Sequence, residues 1–162
     1  MSLVREGRVW KFGDNINTDL IQPREAFYLP ETEQSRLVFS ANRPGWVDEV
    51  RDGDLIVAGA NFGMGSGRPI GQLLRRCGIG GVVADSINGL GLRYCIVTSL
   101  PAMECNGVSS LFEEGQSGRI DYSSGVVTNL TTGKSRQGRA LPQLLIDTVL
   151  AGGVVEMLHR EG

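Results

Sequence analysis

The sequence predicts an α/β fold: a parallel-strand core with helices packed on it, and a small antiparallel β meander toward the C-terminal end. Between positions 55 and 98, short β-branched runs alternate with helix-spaced ones in the order β–loop–α–β–α–β, the pattern of a parallel sheet. From Arg119 to Gln137, strand-like segments are joined by turns too short for crossovers, which is the pattern of a meander. No repeat or linker divides the 162 residues, so positions 1–162 read as one domain with a core of its own.

Taken in order, Gly7 to Phe12 alternates apolar and polar and reads as a strand. Gly13-Asp14-Asn15-Ile16-Asn17-Thr18-Asp19 is rich in Asx-turn formers and ends that strand, before the brief apolar pair Leu20-Ile21. Asp19 there is either a loop carboxylate that bonds nearby N–H groups or a site residue. Arg24 to Pro30 is a loop with a cation and two aromatics, and Glu31 to Ala41 has helical composition, stopped by Asn42-Arg43-Pro44-Gly45. Leu55-Ile56-Val57-Ala58 is a buried strand. Ile70, Leu73, Leu74 and Cys77 mark one helical face, with Pro69 suited to its first turn and Gly78 to its end.

Ile79 to Ala84 reads as the next buried strand, and Asp85-Ser86 offers the N-cap for a short helix to Cys95, despite Gly89 and Gly91. Ile96-Val97-Thr98 is a further short strand before Leu100-Pro101. Leu111 to Glu114 reads as a helical turn. Arg119 to Tyr122, Gly125 to Asn129 and Lys134 to Gln137 are the meander strands, with a turn at Thr131-Thr132-Gly133. Leu141 to Leu150 is an amphipathic helix broken by Gly152-Gly153, and Val154 to Leu158 is a terminal strand or extension.

Composition narrows the function classes. A hydrophobic fraction of 41%, charged residues at 21% and a net charge of −2 describe a soluble domain without a nucleic-acid-binding electrostatic footprint. No apolar run approaches membrane-spanning length and the N-terminus lacks a secretory signal's shape, so a cytoplasmic protein is expected. The three cysteines, at 77, 95 and 105, match no metal spacing, and with His159 as the one histidine they cannot build an ordinary zinc or iron–sulfur site. They read as reduced, mostly buried thiols, and His159 as a surface residue.

The stretch with the strongest claim on chemistry is Asn61-Phe62-Gly63-Met64-Gly65-Ser66-Gly67-Arg68-Pro69, a glycine-rich turn between a strand and a helix. It lacks GxGxxG and the Walker lysine, so nucleotide binding fits poorly. Backbone N–H groups and Arg68 could hold a small carboxylate, at the strand end where parallel sheets place ligands. Ser66 could equally be the helix N-cap and Arg68 an exposed first-turn residue. No histidine is placed to activate Ser66, which excludes a Ser-His-Asp hydrolase. A serine can still take a proton where N–H groups and a guanidinium stabilise its alkoxide.

Gly13-Asp14-Asn15-Ile16-Asn17-Thr18-Asp19-Leu20-Ile21, then Asn61 to Arg68, resemble the 3-isopropylmalate dehydratase small-subunit family and, more broadly, the swivelling domain of the aconitase family. Ala84-Asp85-Ser86-Ile87 and Leu100-Pro101 follow in the family's order, and the resemblance spans Gly7 to Leu158. It implies a swivelling β/β/α domain and the reversible dehydration of a 2-hydroxy di- or tricarboxylic acid in amino-acid (leucine) biosynthesis. It also implies a four-iron, four-sulfur cluster carried by a partner large subunit, with none bound by this chain.

By the same resemblance Ser66 is the base that removes the proton next to a carboxylate. Arg68 holds a substrate carboxylate, Asp19 orients active-site groups, and Arg24 lies in the loop that contacts the variable substituent. The family usually carries Gly-Ser-Ser-Arg-Glu-His where this chain has Gly65-Ser66-Gly67-Arg68-Pro69-Ile70. Gly67 therefore replaces a substrate-binding serine, and Pro69 and Ile70 replace groups around Arg68. The loop at Tyr28-Leu29-Pro30-Glu31 has no arginine of the tricarboxylate type, which points to an apolar or small substituent: 3-isopropylmalate or a methylmalate-type relative. The competing reading is a non-catalytic carboxylate-binding or regulatory paralogue.

Overall fold

The computed structural model describes residues 2–161. Its centre is a seven-stranded sheet in the order β4-β3-β2-β1-β5-β6-β7. Strand β1 (Val4–Lys11) joins the two halves. Its C-terminal half, Val9 to Lys11, pairs in parallel with β2 (Leu55–Ala58), and its N-terminal half, Val4 to Arg8, pairs antiparallel with β5 (Ser117–Asp121). Strands β3 (Gly81–Ala84) and β4 (Ala102–Glu104) extend the parallel half, while β6 (Val126–Asn129) and β7 (Ser135–Gln137) complete the meander. The β–α alternation and the meander are both present as the sequence implies.

Strands buried on both faces read as unbroken apolar runs, and side chains alternate between two cores. On one face Trp10, Phe12, Ile56, Ala58, Val82 and Ala84 meet Ile70, Leu73 and Leu74 of α3 (Ile70–Cys77). On the other, Val9, Leu55, Val57, Val83 and Met103 meet Ile146 and Val149 of α5 (Gln143–Leu150). Asp54, buried at the entrance to β2, accepts bonds from Arg8 Nη2 (2.9 Å), Trp10 Nε1 (2.7 Å) and the Arg51 N–H (2.9 Å), so its charge is met by three donors.

Several boundaries differ from the sequence reading. Ile96-Val97-Thr98 is no strand: Ile96 ends helix α4 (Gly89–Ile96) with its side chain buried, and β4 starts after Pro101. The Thr98 hydroxyl bonds back to the Tyr94 carbonyl (2.9 Å) and Ser99 adopts φ 69°, turning the chain between them. Burial has overridden a β-branched run. The cap of α4 is Asn88, whose side chain accepts from the Leu90 N–H (3.0 Å). Asp85 instead accepts from the Ser109 N–H and hydroxyl at 3.0 and 2.6 Å.

Glu31 to Ala41 is not an α-helix. It is a 3₁₀ segment, Glu31–Leu37, and a turn in which Phe39 takes φ 58° to bury its ring between Phe12 and Trp46. The helical turn near Leu111 falls earlier, at Val108–Ser110. The C-terminal segment is helix α6 (Val154–Glu161) rather than a strand, entered through Gly152 and Gly153 at φ 97° and 116°. Two short helices complete the layer over the first core: α1 (Thr18–Ile21), and α2 (Trp46–Glu49), which plants the buried Trp46.

Candidate active site

Three loops leave the C-terminal edge of the parallel strands side by side: 12–17 after β1, 59–69 after β2 and 85–88 after β3. The middle loop is laced to both neighbours. Toward the first, the Gly63 N–H donates to the Ile16 carbonyl (2.8 Å) and the Thr18 N–H to the Met64 carbonyl (2.9 Å). Toward the third, Phe62 and Asn88 exchange backbone bonds with Ser86 and Phe62 at 3.1 and 2.9 Å, forming a parallel bridge beyond the sheet. Asn61 and Gly65 take φ of 60° and 108°, and the left-handed region is what lets so short a loop reverse twice.

Thr18 is the residue that the sequence reading passed over. It is fully buried at the start of α1, and its hydroxyl donates to the Ser66 carbonyl at 2.7 Å while its N–H holds Met64. One residue thus fixes the loop on either side of Gly65, through its hydroxyl and its backbone N–H. Nothing in the sequence separates this threonine from an ordinary Asx-turn neighbour, because its partners lie about fifty positions away.

Ser66 is exposed and does not cap α3; Pro69 occupies that position without a side-chain bond. The N–H groups of Gly65, Ser66, Gly67 and Arg68 find no acceptor among the described residues. Consecutive free N–H groups in a glycine turn form a concavity that suits an anion. The Ser66 hydroxyl has no partner among the described residues either, so it is available to a ligand.

Arg68 is held on several sides. Its Nη2 pairs with Asp19 Oδ1, its Nε donates to the Gln22 carbonyl (3.3 Å), and its guanidinium lies 4.7 Å from the Phe27 ring centroid. Its side chain is 14% exposed while that of Asp19 is 65% exposed, so the aspartate acts from the solvent side. Nη1 makes no bond among the described residues. Asp19 lies within α1, behind the Asn17 N-cap, rather than in a loop bonding N–H groups. Ser66, Gly67, Arg68 and Asp19 are therefore gathered at one place. Arg24 is not: it is exposed at the start of the 3₁₀ segment Arg24–Tyr28 and has no side-chain partner among the described residues, although Phe27 of that segment reaches Arg68.

Among the described residues no three of His, Cys, Asp or Glu gather where they could hold a metal ion. The cysteines are separate free thiols and do not fit a cluster. No helix among the described residues is long and apolar enough to cross a membrane. A concavity of about 580 Å³ lies elsewhere, between α4, α5 and α6, lined by Leu92, Ile96, Leu144, Met157 and Leu158 among others. Its lining is mainly apolar, with Arg93 and Thr148 as its polar side chains.

No family model matches the chain. The small subunit of isopropylmalate/citramalate isomerase from Methanocaldococcus jannaschii is 37% identical, covering 99% of this chain and 97% of that one. The 3-isopropylmalate dehydratase small subunit 1 of Methanopyrus kandleri is 38% identical over 98% of this chain and 95% of its own length. A crystal structure of 3-isopropylmalate dehydratase from M. jannaschii superposes with a TM-score of 0.90 at 27% identity, over 98% of this chain and 95% of that one. With relatives this similar over nearly their whole length, the chain belongs to the 3-isopropylmalate dehydratase small-subunit family.

Proposed function

We propose that this chain is the small subunit of a hydro-lyase that isomerises, or hydrates and dehydrates, a 2-hydroxy dicarboxylic acid, 3-isopropylmalate or a methylmalate-type relative. The observation that carries the proposal is the meeting of a Ser66 hydroxyl and four N–H groups, all without a partner among the described residues, and a fixed guanidinium on one exposed edge. In dehydration Ser66, as alkoxide, takes the proton from the carbon next to a carboxylate. The electron pair left behind forms the double bond as the hydroxyl departs from the neighbouring carbon; hydration runs the same steps in reverse. Arg68 binds the carboxylate through Nη1, and Asp19 orients Arg68. Gly67 gives the substrate access to the backbone N–H groups, and Arg24, on the outer rim, faces the variable substituent.

The alkoxide needs positive surroundings, and the loop N–H groups and Arg68 provide them without a histidine. The departing hydroxyl needs a Lewis acid for which the described residues offer no ligand set, and an iron–sulfur cluster on a large subunit would supply it. The exposed position of the loops suits closure against such a partner. Unpaired thiols suit a reducing, cytoplasmic setting.

The test is reconstitution with a large subunit of the family and assay of isopropylmaleate and citraconate hydration. Ser66→Ala is expected to lower kcat about 10³-fold, within the usual range for a general base. A complex of unchanged rate would remove Ser66 from proton transfer. A complex that binds dicarboxylates without turnover, even as wild type, would favour the non-catalytic reading.

A further inference from the structure

Tyr94 stands on α4, the helix that backs the Ser66 loop, and its ring packs at the margin of the first core. Its hydroxyl comes up against Gly67. A Cβ at position 67 would lie 2.9 Å from the phenol oxygen and 3.3 Å from the ring carbon bearing it. Ordinary contact between such atoms begins at about 3.5 Å, so the phenol fills the space that a side chain there would take. Gly67 is not in the left-handed region, so its backbone does not demand glycine; the atoms that a side chain there would meet are those of Tyr94.

The phenol oxygen makes no side-chain hydrogen bond among the described residues, and it is not one of the buried polar atoms left without a partner, so it opens to solvent. Tyr122 shows the contrast: it is fully buried and its hydroxyl donates to the Val82 carbonyl at 2.9 Å. A ring anchored in carbon with a free hydroxyl beside Gly67 is a donor presented at the loop that carries Ser66 and Arg68.

We infer that the Tyr94 hydroxyl is a further substrate-binding group, donating to the carboxylate held by Arg68 and the loop N–H groups, and that Gly67 is there to admit it. The inference rests on the reading of that loop as a carboxylate site. A phenol O–H to a carboxylate is a charge-assisted bond. Its loss should raise KM more than it lowers kcat if both ground and transition state carry the carboxylate.

The experiment uses the complex with the large subunit. Tyr94→Phe is expected to raise KM for isopropylmalate about tenfold, with kcat within about threefold of wild type. A KM within about twofold of wild type overturns the inference. If the wild-type complex has no turnover, the reading beneath the inference fails first. The inference is then read separately, from thermal stabilisation of wild-type and Tyr94→Phe complexes by isopropylmalate. Weaker stabilisation of the variant supports it; equal stabilisation, including none, overturns it.

Discussion

Gly91→Ala should act against the rule that alanine stabilises helices. Gly91 sits within α4, and on helix propensity alone alanine would add about 1 kcal/mol. The structure reverses the sign. Gly91 lies against Gly63 of the Ser66 loop, and a Cβ at 91 would stand 2.7 Å from the Gly63 carbonyl oxygen and 2.8 Å from its Cα. To reach ordinary contact the loop and helix must part by about 1 Å. Overpacking of this kind costs about 1–3 kcal/mol, so the net effect is between no change and a loss of about 2 kcal/mol.

The displacement bears directly on the loop that presents Ser66, and a misplacement of about 1 Å can cost about 100-fold in rate. Urea unfolding of the chain measures the first effect, and kcat of the reconstituted complex the second. Gly89→Ala is the control, because a Cβ there meets nothing within 4 Å. It should be neutral or stabilise by up to about 1 kcal/mol and leave kcat alone. If Gly91→Ala were the more stable protein with wild-type kcat, the backbone-to-backbone approach would not be what holds the loop.

Glu114 gives a pH prediction. Partial burial pushes its carboxyl up, but the Arg43 guanidinium (2.5 Å) and the Lys11 N–H (3.0 Å) outweigh this and hold it below the ordinary value. A depressed folded pKa contributes stability above the unfolded pKa and loses it as the pH falls through the folded one. Glu114→Gln should therefore cost under about 1 kcal/mol at pH 7, the side chain being 43% exposed, and nothing once wild type is protonated. Equal differences in urea midpoint at pH 7 and in acid strong enough to protonate the wild-type carboxyl would refute this. The thiols give another: burial pushes Cys77 and Cys95 up to about 12 and raises Cys105. At pH 8 a disulfide reagent should label none of them in the folded chain and all three in urea, and prompt labelling of the folded chain would refute the burial argument.

The β–α alternation, the meander and the glycine turn are written in local order, because strand and helix periods and turn residues act over a few positions. Asn61 to Arg68 was legible as a turn at a strand end, and with Gly13 to Ile21 it carried the resemblance. The boundaries that moved are those where a distant partner decides. Ile96 entered a helix because α4 packs on the sheet, and Phe39 left one because the Phe12–Trp46 cluster lies beneath it. Asp85 was lost as a cap to Ser109.

The site divides along the same line. By itself the sequence determined which groups are available: a serine and an arginine flanking one glycine, an aspartate after an Asx-rich run, and no cluster of metal ligands. Only the tertiary structure decided how they meet. It paired Arg68 with Asp19 across 49 positions, set Thr18 to clamp the Ser66 carbonyl, and brought Tyr94 against Gly67 and Gly91 against Gly63. Those contacts join loops from different strands, and their register is fixed by the sheet that aligns the strand ends; no local pattern encodes a distance set by the packing of other segments.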